Sequence, residues 1–85
     1  MVQFSYEIKD ELGIHARPAG LLAKTAAGFK SSVSLQVGDA TADAKKMISI
    51  MKLGAHHGQT AAFTIEGEDE EAAAEALKTF MQENL

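Results

Sequence analysis

Val2-Gln3-Phe4-Ser5-Tyr6-Glu7-Ile8-Lys9 alternates apolar and polar side chains without a break. A period of two belongs to a strand with one face on a core and the other in water, so the chain opens on a half-buried sheet. Val33, Leu35 and Val37 repeat the pattern against Ser32, Ser34 and Gln36, and Gly38-Asp39 offers a tight turn into a further strand over Ala40 to Asp43. Ala61, Phe63 and Ile65 mark a fourth strand. Elsewhere the period changes. Ala19, Leu22, Ala23 and Ala26 recur at helical spacing and predict a helix from about Ala16 to Ala27, stopped by Gly28. Met47 to Leu53, closed by Gly54, reads as a short helical piece too apolar for a free loop, with Ile50 and Leu53 as its core residues. A last helix follows Gly67, carries acids in its first turn as the helix dipole favours, and buries Ala73, Leu77, Phe80 and Met81.

The order is βαββαβα, with no linker or repeat, and is read as a single domain over residues 1-85. Strands that alternate need one covered face, and the two long helices must supply the cover. The expected fold is therefore α/β of the α+β kind, an open-faced β-sandwich whose four-stranded antiparallel sheet carries helices on one side.

Composition removes several function classes. Eighty-five residues support one small core but no deep active-site cavity, which places any chemistry at the surface. A net charge of -4 argues against a nucleic-acid footprint, normally basic. There is no cysteine, hence no disulfide, thiolate metal site or thiol nucleophile. No apolar run approaches the roughly 20 residues of a membrane span, and the start of the chain lacks the pattern of a signal peptide. A cytoplasmic protein, not inserted in a membrane, is the expectation.

The run Gly13-Ile14-His15-Ala16-Arg17-Pro18-Ala19 joins an imidazole, a guanidinium and a proline at the start of the first helix. Helix N-termini present peptide N–H groups without intrahelical acceptors, at the end where the dipole favours negative charge. Pro18 lacks an N–H and fixes φ where a donor is dispensable, while Ala16 and Arg17 keep theirs. Arg17 can fork onto two oxygens of a tetrahedral anion, a geometry unavailable to lysine. His15, at or just before the N-cap, stands over these donors as a nucleophile whose product charge is stabilised as it forms. The run reads as an anion site built around a nucleophile able to accept a phosphoryl group, the alternative being a surface histidine with an arginine nearby.

The chain resembles the HPr family, the histidine-containing phosphocarriers of the bacterial phosphoenolpyruvate:sugar phosphotransferase system. GIHARPA stands where that family carries its phosphorylated histidine, and KTAAGF, ADAKKMISIMKLG and IEGEDEEA continue the likeness over residues 2 to 85. The resemblance implies the strand order 1-4-2-3. It also implies that His15 takes a phosphoryl group on Nδ1 from Enzyme I and gives it to sugar-specific IIA components. The residues themselves do not choose the nitrogen, because the tautomer depends on partners outside the sequence. The protein is then a carrier rather than an enzyme, needs no cofactor or metal, and is expected to be a monomer. A helix N-terminus contributes typically about 0.3 to 1 kcal/mol per charge, a modest hold that suits a relay.

Gly20, Lys24, Met47, Ile48, Met51 and Lys52 match the positions through which HPr proteins meet their partners. Methionine is adaptable, as a surface fitting several unrelated partners requires. If the first two helices share a rim near His15, then Arg17, Lys24, Lys45, Lys46 and Lys52 make it electropositive, while Glu66, Glu68, Asp69, Glu70, Glu71 and Glu75 crowd around the last helix. Lys46 is the main departure: many Gram-positive relatives carry there a serine that a dedicated kinase phosphorylates. This chain has no regulatory serine at that place, and Ser49, about one turn on, is a poor substitute. His56 and His57 have no acid or cysteine close in sequence to complete a metal site. They are read as loop residues near the active-site face, with His56 in a position to touch a bound phosphoryl group or tune His15. Competing readings are a carrier of a nitrogen-type regulatory relay and a non-transferring regulatory module, which would have no need of His15. A free-standing small enzyme lacks a general base, metal site and cleft.

Overall fold

A computed structural model describes residues 1–85. Four strands, β1 (Val2–Glu7), β2 (Ser32–Val37), β3 (Ala40–Asp43) and β4 (Thr60–Glu66), form one sheet in the order β1-β4-β2-β3. Every neighbouring pair is antiparallel. Three helices accompany them: α1 (Ala16–Ala27), α2 (Met47–Lys52) and α3 (Glu70–Asn84). The strand order implied by the family likeness is the one observed, and the first helix has the bounds that its periodicity predicts.

Register explains the single core. Phe4 pairs with Phe63 and Leu35 with Phe63 from the other side, so one row of the sheet is Phe4, Phe63, Leu35 and, through the β2–β3 pairing, Ala42. The rows Val2-Ile65-Val33 and Tyr6-Ala61-Val37 flank it on the same face. Phe4 and Phe63 stack with ring centroids 4.7 Å apart. Phe63 is buried, and removing its ring would cost about 3–5 kcal/mol. Gln3, Ser5, Ser34, Gln36 and Thr64 lie on the opposite, open face. Onto the covered face α1 lays Ala19, Leu22, Ala23 and Ala26, and α3 lays Ala73, Leu77, Phe80 and Met81. All eight are buried, as the helical spacing predicts. Ile50 is the fully buried residue of α2, and Leu53, which follows it, is half-buried against the core.

The turn between β4 and α3 is fastened by Asp69. Its carboxylate accepts the backbone N–H groups of Lys30 and Ser31, each at 2.9 Å, and the Ser31 hydroxyl. Asp69 occupies the N-cap of α3 but makes no cap bond, because its side chain is spent on the segment between α1 and β2. The Ser31 hydroxyl and these N–H donors hold the carboxyl down at about 2. Gly67 makes the approach possible. A Cβ there would stand 2.6 Å from Ser31 Cα, and its φ of 152° is one that side-chain-bearing residues avoid.

Candidate functional site

The segment ahead of α1 is held in place from both sides. Its Asp10 carboxylate accepts the Leu12 N–H at 2.8 Å, and the Asp10 carbonyl accepts the Gly13 N–H at 2.9 Å, giving a tight local turn. The carbonyl of Leu85, beyond α3, accepts the N–H groups of Lys9 and Asp10 at 2.7 and 2.8 Å. On the other flank Ile14 donates to the Ala55 carbonyl at 3.2 Å, and Ile14 itself is buried. His15 is thereby delivered to the helix start by a short, anchored loop.

His15 is the N-cap of α1, in extended conformation (φ -101°, ψ -177°), and its side chain makes no cap bond. The first backbone bond of the helix runs from the Ala19 N–H to the His15 carbonyl at 3.0 Å. The N–H groups of Ala16 and Arg17 precede it and have no acceptor in the protein, while Pro18 has none to offer. Pro18 is instead buried, fixing the first turn against the core. Arg17 is exposed, with neither a hydrogen bond nor an ion pair from its guanidinium. A half-buried imidazole, two free peptide donors and an unengaged guanidinium therefore meet at one helix end. Such an arrangement receives a tetrahedral anion next to a nitrogen nucleophile.

The site includes residues that sequence reasoning missed. His15, Arg17, Pro18 and Leu21 share a shallow cavity of about 260 Å³ with Asp10 from the preceding loop and with Glu83 and Asn84 from the end of α3. Nothing in the local pattern announces Glu83 and Asn84, since only the tertiary docking of α3 brings them there. Leu12 is a different case. It is 72% exposed in a polar stretch beside the site, and an apolar residue in that setting is itself a readable signal.

The residues expected from the sequence to dock partners fall into two groups. Gly20 lies about 7.5 Å along the α1 axis from His15. Its missing side chain leaves space filled by the Met47 sulfur, which would be 3.5 Å from a Cβ at that position. Met47 and Gly20 are thus brought together, with Ile48 (67% exposed) and Met51 beside Met47 on the exposed side of the two-turn α2. Lys24 and Lys52 are exposed in the last turns of α1 and α2. The expected basic rim is smaller than the sequence suggests. Lys45 donates its ammonium to the Phe29 carbonyl at 2.9 Å, beyond the opposite end of α1, and so leaves the rim. Asp10 and Glu83 also stand in the wall beside His15, so the immediate surroundings carry both signs of charge. Lys46 is exposed at the N-cap of α2, with no cap bond. The segment Ala55-His56 is pressed against Gly13, yet neither His56 nor His57 lines the His15 cavity.

The comparisons agree with this geometry. A family model described as the PTS HPr component phosphorylation site matches residues 2–83. The phosphocarrier protein HPr of Mycoplasma genitalium is 39% identical over 85 residues, covering 99% of this chain and 97% of the relative. That of Lysinibacillus sphaericus is 37% identical over 78 residues, covering 92% and 89%. Among solved structures, a mycoplasma histidine-containing phosphocarrier protein superposes with a TM-score of 0.94 at 30% identity, covering 96% of this chain and 93% of the other. The class defined by fold and site is a small open-faced sandwich with a histidine at the free N-terminus of its first helix. The chain belongs to the HPr family, whose members are named phosphocarriers rather than enzymes. No helix of the protein is long and apolar enough to cross a membrane.

Proposed function

We propose that His15 accepts a phosphoryl group from Enzyme I and passes it to sugar-specific IIA components, the protein acting as a cytoplasmic monomer. The observation that carries this reading is the free anion-receiving end of α1: the unpaired N–H groups of Ala16 and Arg17, and the Arg17 guanidinium, around an N-cap imidazole whose own side chain has no partner. In the transfer, an unprotonated imidazole nitrogen forms the N–P bond while the bond from phosphorus to the donor breaks. The negative charge remains on the phosphoryl oxygens, where the helix end and Arg17 meet it. The acceptor's nucleophile reverses the step. Asp10 and Glu83, in the same cavity wall, oppose excess negative charge and keep the phosphoryl group transferable. Gly20, Lys24, Met47, Ile48, Met51 and Lys52 form the surface that meets the partners, and Leu12 extends it on the loop side.

The experiment is incubation with phosphoenolpyruvate and Enzyme I followed by intact-mass measurement. One phosphate, labile in acid and stable in base, is expected on the parent and none on His15→Ala. A phosphate retained by His15→Ala overturns the assignment. A parent that is not charged by Enzyme I, yet binds another protein in a defined complex, favours a non-transferring regulatory module instead.

A further inference from the structure

A second and larger cavity, of about 550 Å³, opens away from His15 at the border of β2 and β3. β3 ends at Asp43, opposite Ser34, so the start of β2 is paired with β4 alone and has no strand on its other side, where the gap is walled by Lys30 and Lys45 with the hydroxyls of Ser32, Ser34, Thr41 and Ser49. Two ammonium groups in one recess are unexpected in a protein of net charge -4. Neither has a carboxylate partner, since the ion pair of this structure joins the chain's first amine to Glu70. One acid, Asp43, faces the recess, but its Oδ1 accepts the Lys45 N–H at 2.9 Å.

One cation is held by its ammonium and the other is tethered at its backbone. The Lys30 backbone is fixed by its N–H bond to Asp69, and the Lys45 ammonium is steadied by the Phe29 carbonyl, which takes one of its three donors and leaves two. The hydroxyls of Ser34, Thr41 and Ser49 have no hydrogen-bond partner within the protein, and only Ser32 uses its own, on the Glu66 carbonyl. The volume falls in the range of small-molecule sites, but the lining is polar where such sites are usually apolar. Ammonium donors at one place and adaptable hydroxyls around them match a ligand with a compact double charge and hydroxyl groups of its own.

We propose that this recess binds a small phosphate monoester of a polyhydroxylated carbon chain, its phosphoryl oxygens on Lys30 and Lys45 and its hydroxyls on Ser34, Thr41 and Ser49. It is a binding site separate from the His15 cavity, shares no lining residue with it, and involves no bond making or breaking.

The test is an amide chemical-shift titration of the whole protein with glucose 6-phosphate, inorganic phosphate and glucose as separate probes. Saturable shifts confined to residues 30–34, 41–45 and 49 are expected with the ester, weaker binding at the same residues with inorganic phosphate, and none with glucose. Lys30→Gln should raise the dissociation constant for the ester about two- to fivefold while leaving the spectrum of the free protein otherwise unchanged, because that side chain is exposed. Ser34→Ala, on the open sheet face, provides a second variant independent of the lysines. No saturation by the ester, shifts centred on His15 and Arg17, or an unaltered constant in Lys30→Gln and Ser34→Ala would each overturn the proposal. Equal affinity for ester and inorganic phosphate would overturn the assignment of a polyhydroxylated ligand.

Discussion

Gly13 and Ala55 touch so closely that a methyl group does not fit between them: a Cβ on Gly13 would run into the Ala55 carbonyl oxygen, and His56 Cα would lie 2.9 Å away. The φ of 68° at Gly13 adds a conformation that other residues adopt only with strain. Two loops far apart in sequence are therefore locked as one body just before His15. Gly13→Ala should destabilise the protein by about 1–3 kcal/mol and slow phosphorylation beyond that loss. Thermal unfolding and single-turnover phosphorylation of the folded fraction check this. A variant as stable and as fast as the parent would show that the contact is dispensable.

Arg17 is exposed and bonded to nothing in the protein, so its removal should spare the fold and act on transfer alone. A lost charge-assisted hydrogen bond is worth about 1.5–3 kcal/mol, or about ten- to a hundredfold in rate. Arg17→Ala should show that slowing with an unchanged melting temperature, while Arg17→Lys should recover part of it. Equal transfer rates for Arg17→Ala and the parent would remove Arg17 from the site.

Met47 and Met51, 39% and 42% exposed, stand outside the core to which Ile50 of the same helix belongs. Glutamate at either should weaken Enzyme I binding by about 1–2 kcal/mol with a smaller change in stability. Titration calorimetry beside thermal unfolding separates the two. A large drop in melting temperature with intact binding would make the residue a core element.

Lys46 starts α2 without a cap, and serine is among the best capping residues. Lys46→Ser should stabilise the protein by about 0.5–1 kcal/mol, read by denaturant unfolding, and should also create a substrate for the serine kinase that modifies many Gram-positive relatives. The parent should remain unmodified by that kinase. Phosphoserine on the parent, at Ser49 or elsewhere, would contradict this. Lys46→Glu should slow association with Enzyme I, most at low salt.

The Asp69 clamp sets an acid limit. Its carboxyl is held at about 2, against an ordinary 3.8, first by the Ser31 hydroxyl and then by the Lys30 N–H. The folded form therefore releases that proton more readily than the unfolded chain. The resulting stability is present above about pH 4 and lost as the pH falls through 3.8 toward 2. At the basic end the sign reverses. The first amine is raised above 8.0 by the Glu70 carboxylate, so its contribution is present below pH 8 and fades as the amine deprotonates. Asp69→Asn should flatten the acid side of a stability profile measured by denaturant midpoint against pH. An unchanged acid slope would place the titration elsewhere.

Much of this was legible in the chain because a single physical rule governed each part. The alternation of Val2 to Lys9 and of Ser32 to Val37 names one buried face, and the register puts those apolar residues in common rows. The helix over Ala16–Ala27 follows from apolar spacing, the stop at Gly28 and the early proline. What escaped depends on distance in sequence. Lys45 looks like a neighbour of Lys46 on a basic rim, but a backbone carbonyl left over at the end of α1 captures its ammonium. Asp69 looks like one more of the acids around the last helix, yet two N–H groups and a hydroxyl some forty residues earlier engage it. Glu83 and Asn84 reach the His15 cavity only because α3 runs back across the sheet.

The sheet order has a consequence for how the protein comes into being. Val2 pairs with Ile65 and Glu7 with Thr60, so the first strand has no neighbour until β4 exists. The loop bearing His15 hangs from that strand and leans on Ala55, and these long-range pairings are slow, late contacts. A chain emerging from the ribosome thus exposes its histidine well before the surroundings that give it purpose can assemble. On the proposed function, competence would arrive together with completion, and half-made or misfolded copies would drop out of the relay instead of trapping phosphate within it.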